Sequence, residues 1–294
     1  ESKRMFPGFH KEKIKVTGTE INLVRGGEGP PLLLLHGYPQ SHIMWHKVAP
    51  SLSEKFNLII PDLRGYGDSG TPDIDEEHYN YSKRATALDQ VELMTKLGHD
   101  QFMVAGHDRG ARVAHRMALD YTNRIIKLCA LDIVPTHRIF ADADKRLATM
   151  YWHWFFLIQK SPIPETLIGN NVEFYLRTQF GAWGERSDFV TEEAFAEYLR
   201  CFKNARVLQA TCEDYRAGAS IDLVHDESDM DQKVTCPMLV LWGAYGAMHK
   251  IYDVVEIWRE RAADVRGWAV DSGHFIPEEA PRTISESFIE FFGE

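Results

Sequence analysis

The chain has 294 residues, is 44% hydrophobic and 12% aromatic, and carries 33 basic against 43 acidic side chains, a formal charge of -10. That length and apolar content suit one large core, or a core with an insertion. The acidic balance leaves no basic stripe to displace counterions, which argues against a nucleic-acid partner. It does not forbid an anionic substrate, because a local pair of arginines can dominate one pocket. Cys129, Cys201, Cys212 and Cys236 have no CxxC spacing. They read as buried thiols of a reducing compartment, not as a zinc site or a disulfide frame. Glu1-Ser2-Lys3-Arg4 opens without a secretory apolar stretch, and no apolar run approaches bilayer length. The expectation is a cytoplasmic protein with no membrane partner. No internal repeat or low-complexity segment interrupts it.

In chain order, Lys13 to Val16 and Ile21 to Arg25 read as two strands joined around Thr17-Gly18-Thr19. Leu32-Leu33-Leu34-Leu35 is a continuous apolar run, as in a strand buried on both faces. His36-Gly37-Tyr38-Pro39 leaves its carboxyl end, where open α/β sheets place ligands. Met44 to Leu52 reads as a short amphipathic helix. Asn57 to Ile60 is the next strand, followed by the glycine-rich turn Pro61 to Ser69. Ser82 caps a helix that runs to Leu97 and stops at Gly98. Phe102 to Ala105 is a buried strand, Ala111 to Leu119 a helix, and Lys127 to Leu131 another strand ending in Asp132. This alternation predicts a parallel sheet with crossover helices.

The pattern breaks after Pro135. From about Thr136 to Ala217 there is no convincing strand, only aromatic-rich helical stretches: Tyr151 to Phe156, Val172 to Phe180 and Glu192 to Phe202. Strands resume at Met238 to Trp242 and Arg266 to Val270, and a last helix runs to Phe292. The expected division is therefore a core of residues 1–135, a helical cap of 136–217 and the rest of the core, 218–294. A cap over the carboxyl ends of the strands excludes water and supplies substrate contacts.

The chemistry centres on Gly106-His107-Asp108-Arg109-Gly110-Ala111. Strand, sharp turn and helix with glycines on both sides of one reactive residue form a nucleophile elbow, G-x-Nuc-x-G. The nucleophile position holds Asp108. A carboxylate there attacks a carbon and becomes an ester that water must hydrolyse. The plainer reading is an aspartate capping the next helix. Arg109 and Arg112 lie three apart on that helix and so share a face, with Arg112 four residues from Asp108. Paired guanidiniums suit bidentate binding of a carboxylate; arginines on a helix are otherwise usually solvated. Arg116 continues the face and is read as structural. The helix dipole and both arginines favour an ionised Asp108. His274, in Ser272-Gly273-His274 after the last strand, is the candidate general base. Asp132 is the candidate acid orienting it. After Trp242 no acid occurs until Asp253, the fallback.

These residues resemble the α/β-hydrolase fold: His36-Gly37-Tyr38-Pro39, Asp62 to Ser69, the elbow and Ser272-Gly273-His274 stand in that family's order. The expected fold is α/β, a mostly parallel eight-stranded sheet flanked by helices, with a helical cap after the sixth strand. Asp108 narrows the resemblance to the dehalogenase and epoxide hydrolase branch. Gly106 to Arg112, Leu131 to Pro135 and His153-Trp154-Phe155-Phe156 look like haloacetate dehalogenases, the fluoroacetate-cleaving members above all. The resemblance covers nearly the whole chain.

That likeness implies hydrolytic dehalogenation of a small, anionic 2-haloacid to glycolate and halide. Arg109 and Arg112 would hold the substrate carboxylate. His153, Trp154 and Tyr215 would receive the halide; each can donate a hydrogen bond, as a small hard anion requires. The backbone N–H groups of Tyr38 and Arg109 would form the oxyanion hole, and Trp183 would line the pocket. His107 is expected to pack. No metal and no organic cofactor is expected. The family often forms homodimers, although no feature of this sequence requires one. The alternative is an epoxide hydrolase with the same nucleophile and base, for which Tyr151, Tyr175, Tyr198 and Tyr215 could supply phenols. The arginine pair weighs against it, since an epoxide carries no carboxylate.

Overall fold

The computed structural model describes residues 5–185 and 188–294. Among these, eight strands form one sheet in the order β1-β2-β4-β3-β5-β6-β7-β8. They are β1 (His10–Lys15), β2 (Glu20–Gly26), β3 (Pro31–Leu35), β4 (Asn57–Pro61), β5 (Phe102–His107), β6 (Ile125–Leu131), β7 (Met238–Gly243) and β8 (Val265–Val270). β1 and β2 are antiparallel to their neighbours; β4, β3, β5, β6, β7 and β8 run parallel. Leu32, Leu33, Leu34 and Leu35 of β3 are buried, as are all six residues of β5. Continuous apolar runs of this kind are what a sheet covered on both faces requires.

Register decides which loops meet. Leu35 pairs with Gly106, His107 with Leu131, and Leu131 with Leu241. The carboxyl ends of β3, β5, β6 and β7 therefore end level. Tyr38, Asp108, Asp132 and Gly243 emerge side by side at one edge. β8 adds its neighbour through the pairing of Gly243 with Val270, and His274 lies four residues further on.

Local signals behaved unevenly. Ser82 caps the helix Lys83–Lys96, its Oγ accepting the Ala85 N–H at 3.1 Å. The expected helix from Met44 to Leu52 is instead a 3₁₀ turn, His42–Trp45, and one separate helical turn, Ala49–Leu52. Pro50, in the first positions of the second piece, has no N–H to continue a helix from before it. Cys129, Cys201 and Cys212 are buried free thiols, while Cys236 is only partly buried.

Between β6 and β7 the described chain is helical, beginning at Thr136–Ala141 and including Trp152–Phe156, Val172–Trp183, Glu192–Phe202 and Ala205–Gly218. The helical run continues through Ile221–Ser228. That last helix is tied to the core: Asp222 accepts the Lys83 N–H at 2.8 Å, and Asp226 accepts from Arg116 at 2.7 Å. Among the described residues no helix is long and apolar enough to cross a membrane.

Leu34 lies at the middle of the sheet, 0% exposed. Leu34→Ala is expected to lower unfolding stability by about 2–5 kcal/mol, through lost burial plus a residual cavity. Urea denaturation should show a lower midpoint with an unchanged slope.

Candidate active site

The elbow is built by close approach. A Cβ on Gly106 would stand 2.4 Å from the Gly110 carbonyl oxygen, and one on Gly110 would stand 2.3 Å from that of His36. Side chains at either position would force strand, turn and helix apart. Asp108 sits at the tip with φ 51° and ψ -118°. A left-handed φ in a residue with a Cβ stores roughly 1–3 kcal/mol of strain. It makes no side-chain cap bond to the helix Arg109–Asp120, so the simple capping reading does not describe it.

The carboxylate is buried. Its Oδ2 accepts the Tyr38 N–H at 2.8 Å, and its Oδ1 lies 3.8 Å from His274 Nε2. Gly37 allows the first contact, since a Cβ there would lie 2.4 Å from the Asp108 Cβ. His36 braces the same loop: Nε2 accepts the Leu63 N–H at 3.0 Å, which leaves the proton on Nδ1, 3.0 Å from the Gly37 carbonyl oxygen. The Arg109 N–H, the second donor expected, makes no hydrogen bond to Asp108. Donors aimed at a tetrahedral oxyanion need not touch the resting carboxylate. Burial opposes the Asp108 charge. His274, Arg109, His107 and Arg112 outweigh it and hold the carboxyl well below its ordinary pKa.

His274 Nδ1 lies 2.5 Å from Asp132 Oδ2, while Asp132 Oδ1 accepts the Gly243 N–H at 2.9 Å. Asp253, the fallback acid, instead caps its own helix, accepting the Glu256 N–H at 3.3 Å. Burial pushes the His274 pKa down, but the Asp132 hydrogen bond and the charges of Asp132 and Asp108 carry it above the ordinary value. His107 packs beneath, with ring centroids 4.5 Å apart and Nε2 2.7 Å from the His274 carbonyl oxygen. Burial and the neighbouring His274 push His107 down to about 3, so it stays neutral.

The two arginines lie where the spacing puts them, on one buried face. Each guanidinium carbon is 4.7 Å from the Trp154 ring centroid, and that of Arg109 is 3.4 Å from the Tyr215 ring centroid. Arg112 spends Nη1 on the Val134 carbonyl at 2.8 Å and on Thr136 Oγ1 at 3.1 Å. Burial and Arg109 push Arg112 down to about 10, still cationic at neutral pH. Arg109 Nε and Nη1 and Arg112 Nε are buried without a hydrogen-bond partner. Arg116 is structural, paired with Asp120, Asp226 and Asp229.

The cap closes over this recess. His153 Nδ1, Tyr215 Oη and Trp183 Nε1 are likewise buried without partners. The His153 ring lies 4.2 Å from Trp183 and 5.6 Å from Tyr215, centroid to centroid. Burial, aided by Arg109, holds its pKa well below the ordinary value, leaving a neutral imidazole that donates one N–H. Trp154 does the packing that aromatic spacing suggests, against Phe140 and Tyr151, and also forms the floor under both guanidiniums. A cavity of about 290 Å³ opens beside the recess, with Tyr151, Trp183, Glu185, Lys250 and His274 in its wall.

Sequence reasoning missed the second layer. Asp214 Oδ2 lies 3.9 Å from Arg109 Nε and accepts the Tyr66 O–H at 2.8 Å, while Asp214 Oδ1 accepts from Lys83. An acid beside Tyr215 on an amphipathic helix carried no local signal. Among the described residues no group of three or more His, Cys, Asp or Glu is arranged to hold a metal ion.

This fold and edge-on site define a hydrolase class. The family model for the alpha/beta hydrolase fold matches residues 30–281. The chain belongs to the α/β hydrolases. Fluoroacetate dehalogenase of Burkholderia sp is 41% identical over 291 residues, 99% of this chain and 96% of that protein. Soluble epoxide hydrolase of Corynebacterium sp. (strain C12) is 34% identical over 94% of this chain and 95% of that protein. A crystal structure from Nostoc sp PCC 7120, provisionally described as an alpha/beta hydrolase, is 55% identical with a TM-score of 0.97, covering 98% of this chain and 99% of that one.

Asp132→Asn removes the largest influence raising the His274 pKa. The imidazole should titrate above 6.5 in the wild type and at lower pH in the variant, read by NMR. A raised histidine pKa stabilises the fold below the unfolded value and stops doing so as pH rises through the folded one. The stability gap between the two proteins should therefore be larger at about pH 6, on the order of 3 kcal/mol, than at about pH 9.

Proposed function

We propose that the chain is a haloacetate dehalogenase, acting on a small 2-haloacid through an ester on Asp108. The observation that carries this reading is the pair of buried donors without a hydrogen bond, Arg109 Nη1 and Arg112 Nε, beside an ionised buried carboxylate. Leaving buried donors unpaired is costly, and a substrate carboxylate supplies the matching acceptors in bidentate geometry. The identity to a fluoroacetate dehalogenase supports the same substrate class.

With the acid docked on Arg109 and Arg112, Asp108 Oδ1 attacks the halogen-bearing carbon from behind. The carbon–halogen bond breaks, and halide leaves with the electron pair. His153, Trp154 and Tyr215 donate to it as its charge develops, which matters most for fluoride. The other carboxyl oxygen, Oδ2, becomes the ester carbonyl and already faces the Tyr38 N–H. His274 Nε2 then takes a proton from water, whose oxygen attacks the Asp108 carbonyl carbon. Asp132 stabilises the imidazolium. As the tetrahedral intermediate collapses, the bond from the Asp108 carbon to the glycolyl oxygen breaks, His274 returns the proton to that oxygen, and glycolate leaves with Asp108 restored.

An epoxide hydrolase reading draws on the Corynebacterium relative. It needs phenols over the nucleophile. Two of the four candidates are engaged elsewhere: Tyr175 Oη lies 2.8 Å from Tyr38 Oη, and Tyr198 donates to Glu278 at 3.1 Å. Tyr215 faces guanidinium, and the arginine pair has no role with a neutral epoxide.

Purified protein incubated with fluoroacetate, chloroacetate and a styrene-type epoxide should release halide and no diol. Asp108→Asn should cut halide release by roughly a thousandfold or more. Because His274 must be unprotonated to accept a proton, turnover should fall as pH drops through a midpoint above 6.5. Diol without halide would transfer the protein to the epoxide reading.

A further inference from the structure

His274 is held by more than Asp132. All three backbone N–H groups of Gly273, His274 and Phe275 are captured. Glu279, at the end of the short helix Ile276–Glu279, turns its carboxylate back on the loop. Its Oε1 accepts the Gly273 N–H at 3.1 Å and its Oε2 accepts the Phe275 N–H at 2.9 Å. The His274 N–H donates to the Trp183 carbonyl at 2.8 Å. Glu279 Oε1 also accepts the Glu185 N–H at 2.6 Å. Trp183 and Glu185 belong to the helical insertion, whereas Gly273, Phe275 and Glu279 belong to the core. One carboxylate therefore joins both sides of the recess.

The approach is tight enough to dictate a residue. A Cβ on Gly273 would lie 2.6 Å from Glu185 N, 2.7 Å from the Trp183 carbonyl oxygen and 3.0 Å from Glu279 Oε1. The glycine before His274 is thus required by the clasp between the two segments. The Trp183 indole completes it, lying 5.7 Å from the His274 ring and 6.0 Å from that of Phe275, centroid to centroid.

We propose that Glu279 is the positioning residue of the base, fixing His274 over Asp108 by gripping the N–H groups on either side of it and locking that loop to the seated cap. The inference rests on the reading of Asp108 as nucleophile and His274 as base. Its chemical consequence is selective. Attack of Asp108 on the carbon uses the arginines and the halide donors but does not use His274. Hydrolysis of the ester does. Loosening the clasp slows the second step and spares the first. A carboxylate accepting three backbone N–H groups makes charge-assisted bonds, and a misplaced base loses rate steeply with small displacement.

The test is rapid-quench measurement of fluoride or chloride release by the wild type, Glu279→Gln and Glu279→Ala, with intact-mass analysis of the quenched protein. In Glu279→Ala a burst of one halide per protein should appear at near the wild-type rate. Steady turnover should fall about tenfold or more, and the ester should accumulate on Asp108. Glu279→Gln, which keeps one accepting oxygen, should fall between. A purely structural role lowers burst and turnover together, and that result overturns the proposal; so does unchanged turnover in both variants. Proton NMR provides a readout independent of substrate. The downfield Nδ1–H line of His274 against Asp132 should broaden or vanish in Glu279→Gln. If the wild type releases no halide, the haloacid reading falls, and that line alone decides the positioning role: unchanged, it overturns it.

Discussion

A buried, ionised carboxylate on a strained turn is the constraint from which the rest of the site follows. Isolating such a charge from water costs far more than a domain can spare unless it is matched nearby. Asp108 is matched by two guanidiniums from its own helix and by His274 from the far end of the chain. Its left-handed φ turns the side chain out of the sheet edge toward them; Gly37 lets the neighbouring loop come up against it, while Gly106 and Gly110 let strand, turn and helix pack closely around the turn. Charge, strain and close approach thus act at the same few residues.

Compensation spreads outward in alternating sign. Arg109 lies against Asp214, Asp214 against Lys83, and Lys83 against Asp222. Each buried charge has an opposite neighbour, which is how interiors tolerate ions. The chain of pairs leaves one edge of Arg109 without hydrogen bonds. Under the proposed reading that edge is the place of the substrate carboxylate. The fold keeps unsatisfied donors there because rigid packing on Trp154 and Tyr215 prevents the guanidinium from turning to find other partners.

The helical insertion does more than cover the recess. Tyr38, which faces Asp108 with its N–H, is in hydroxyl contact with Tyr175 and stacks near His153. The loop of His274 is bonded to Trp183 and, through Glu279, to Glu185. Both core loops that frame the carboxylate therefore lean on the insertion. Under the proposed reading, the same contacts exclude water and fix the reacting groups.

Much of this was legible in the chain. Continuous apolar runs, such as Leu32 to Leu35, signal strands buried on both faces, and the two-glycine elbow marks the sharp turn that carries Asp108 by local sterics alone. Arginines three apart on a helix must share a face. Period and spacing also indicate helices from about Thr136 onward, although the helical run passes the expected boundary at residue 217 and continues to Ser228. Pro50, a local breaker, splits the helix expected from Met44 to Leu52. What tertiary structure alone decided were the contacts between distant segments. Asp132 rather than Asp253 meets His274, 142 residues away, because strand register ends β6, β7 and β8 level at one edge. Asp214 and Glu279 emerge as partners of Arg109 and of the His274 loop only once helices from separate regions are packed. Sequence determines which residues share a strand or a helix face, since those follow from local periodicity. Which charges and donors face one another depends on register and packing, which no local window contains.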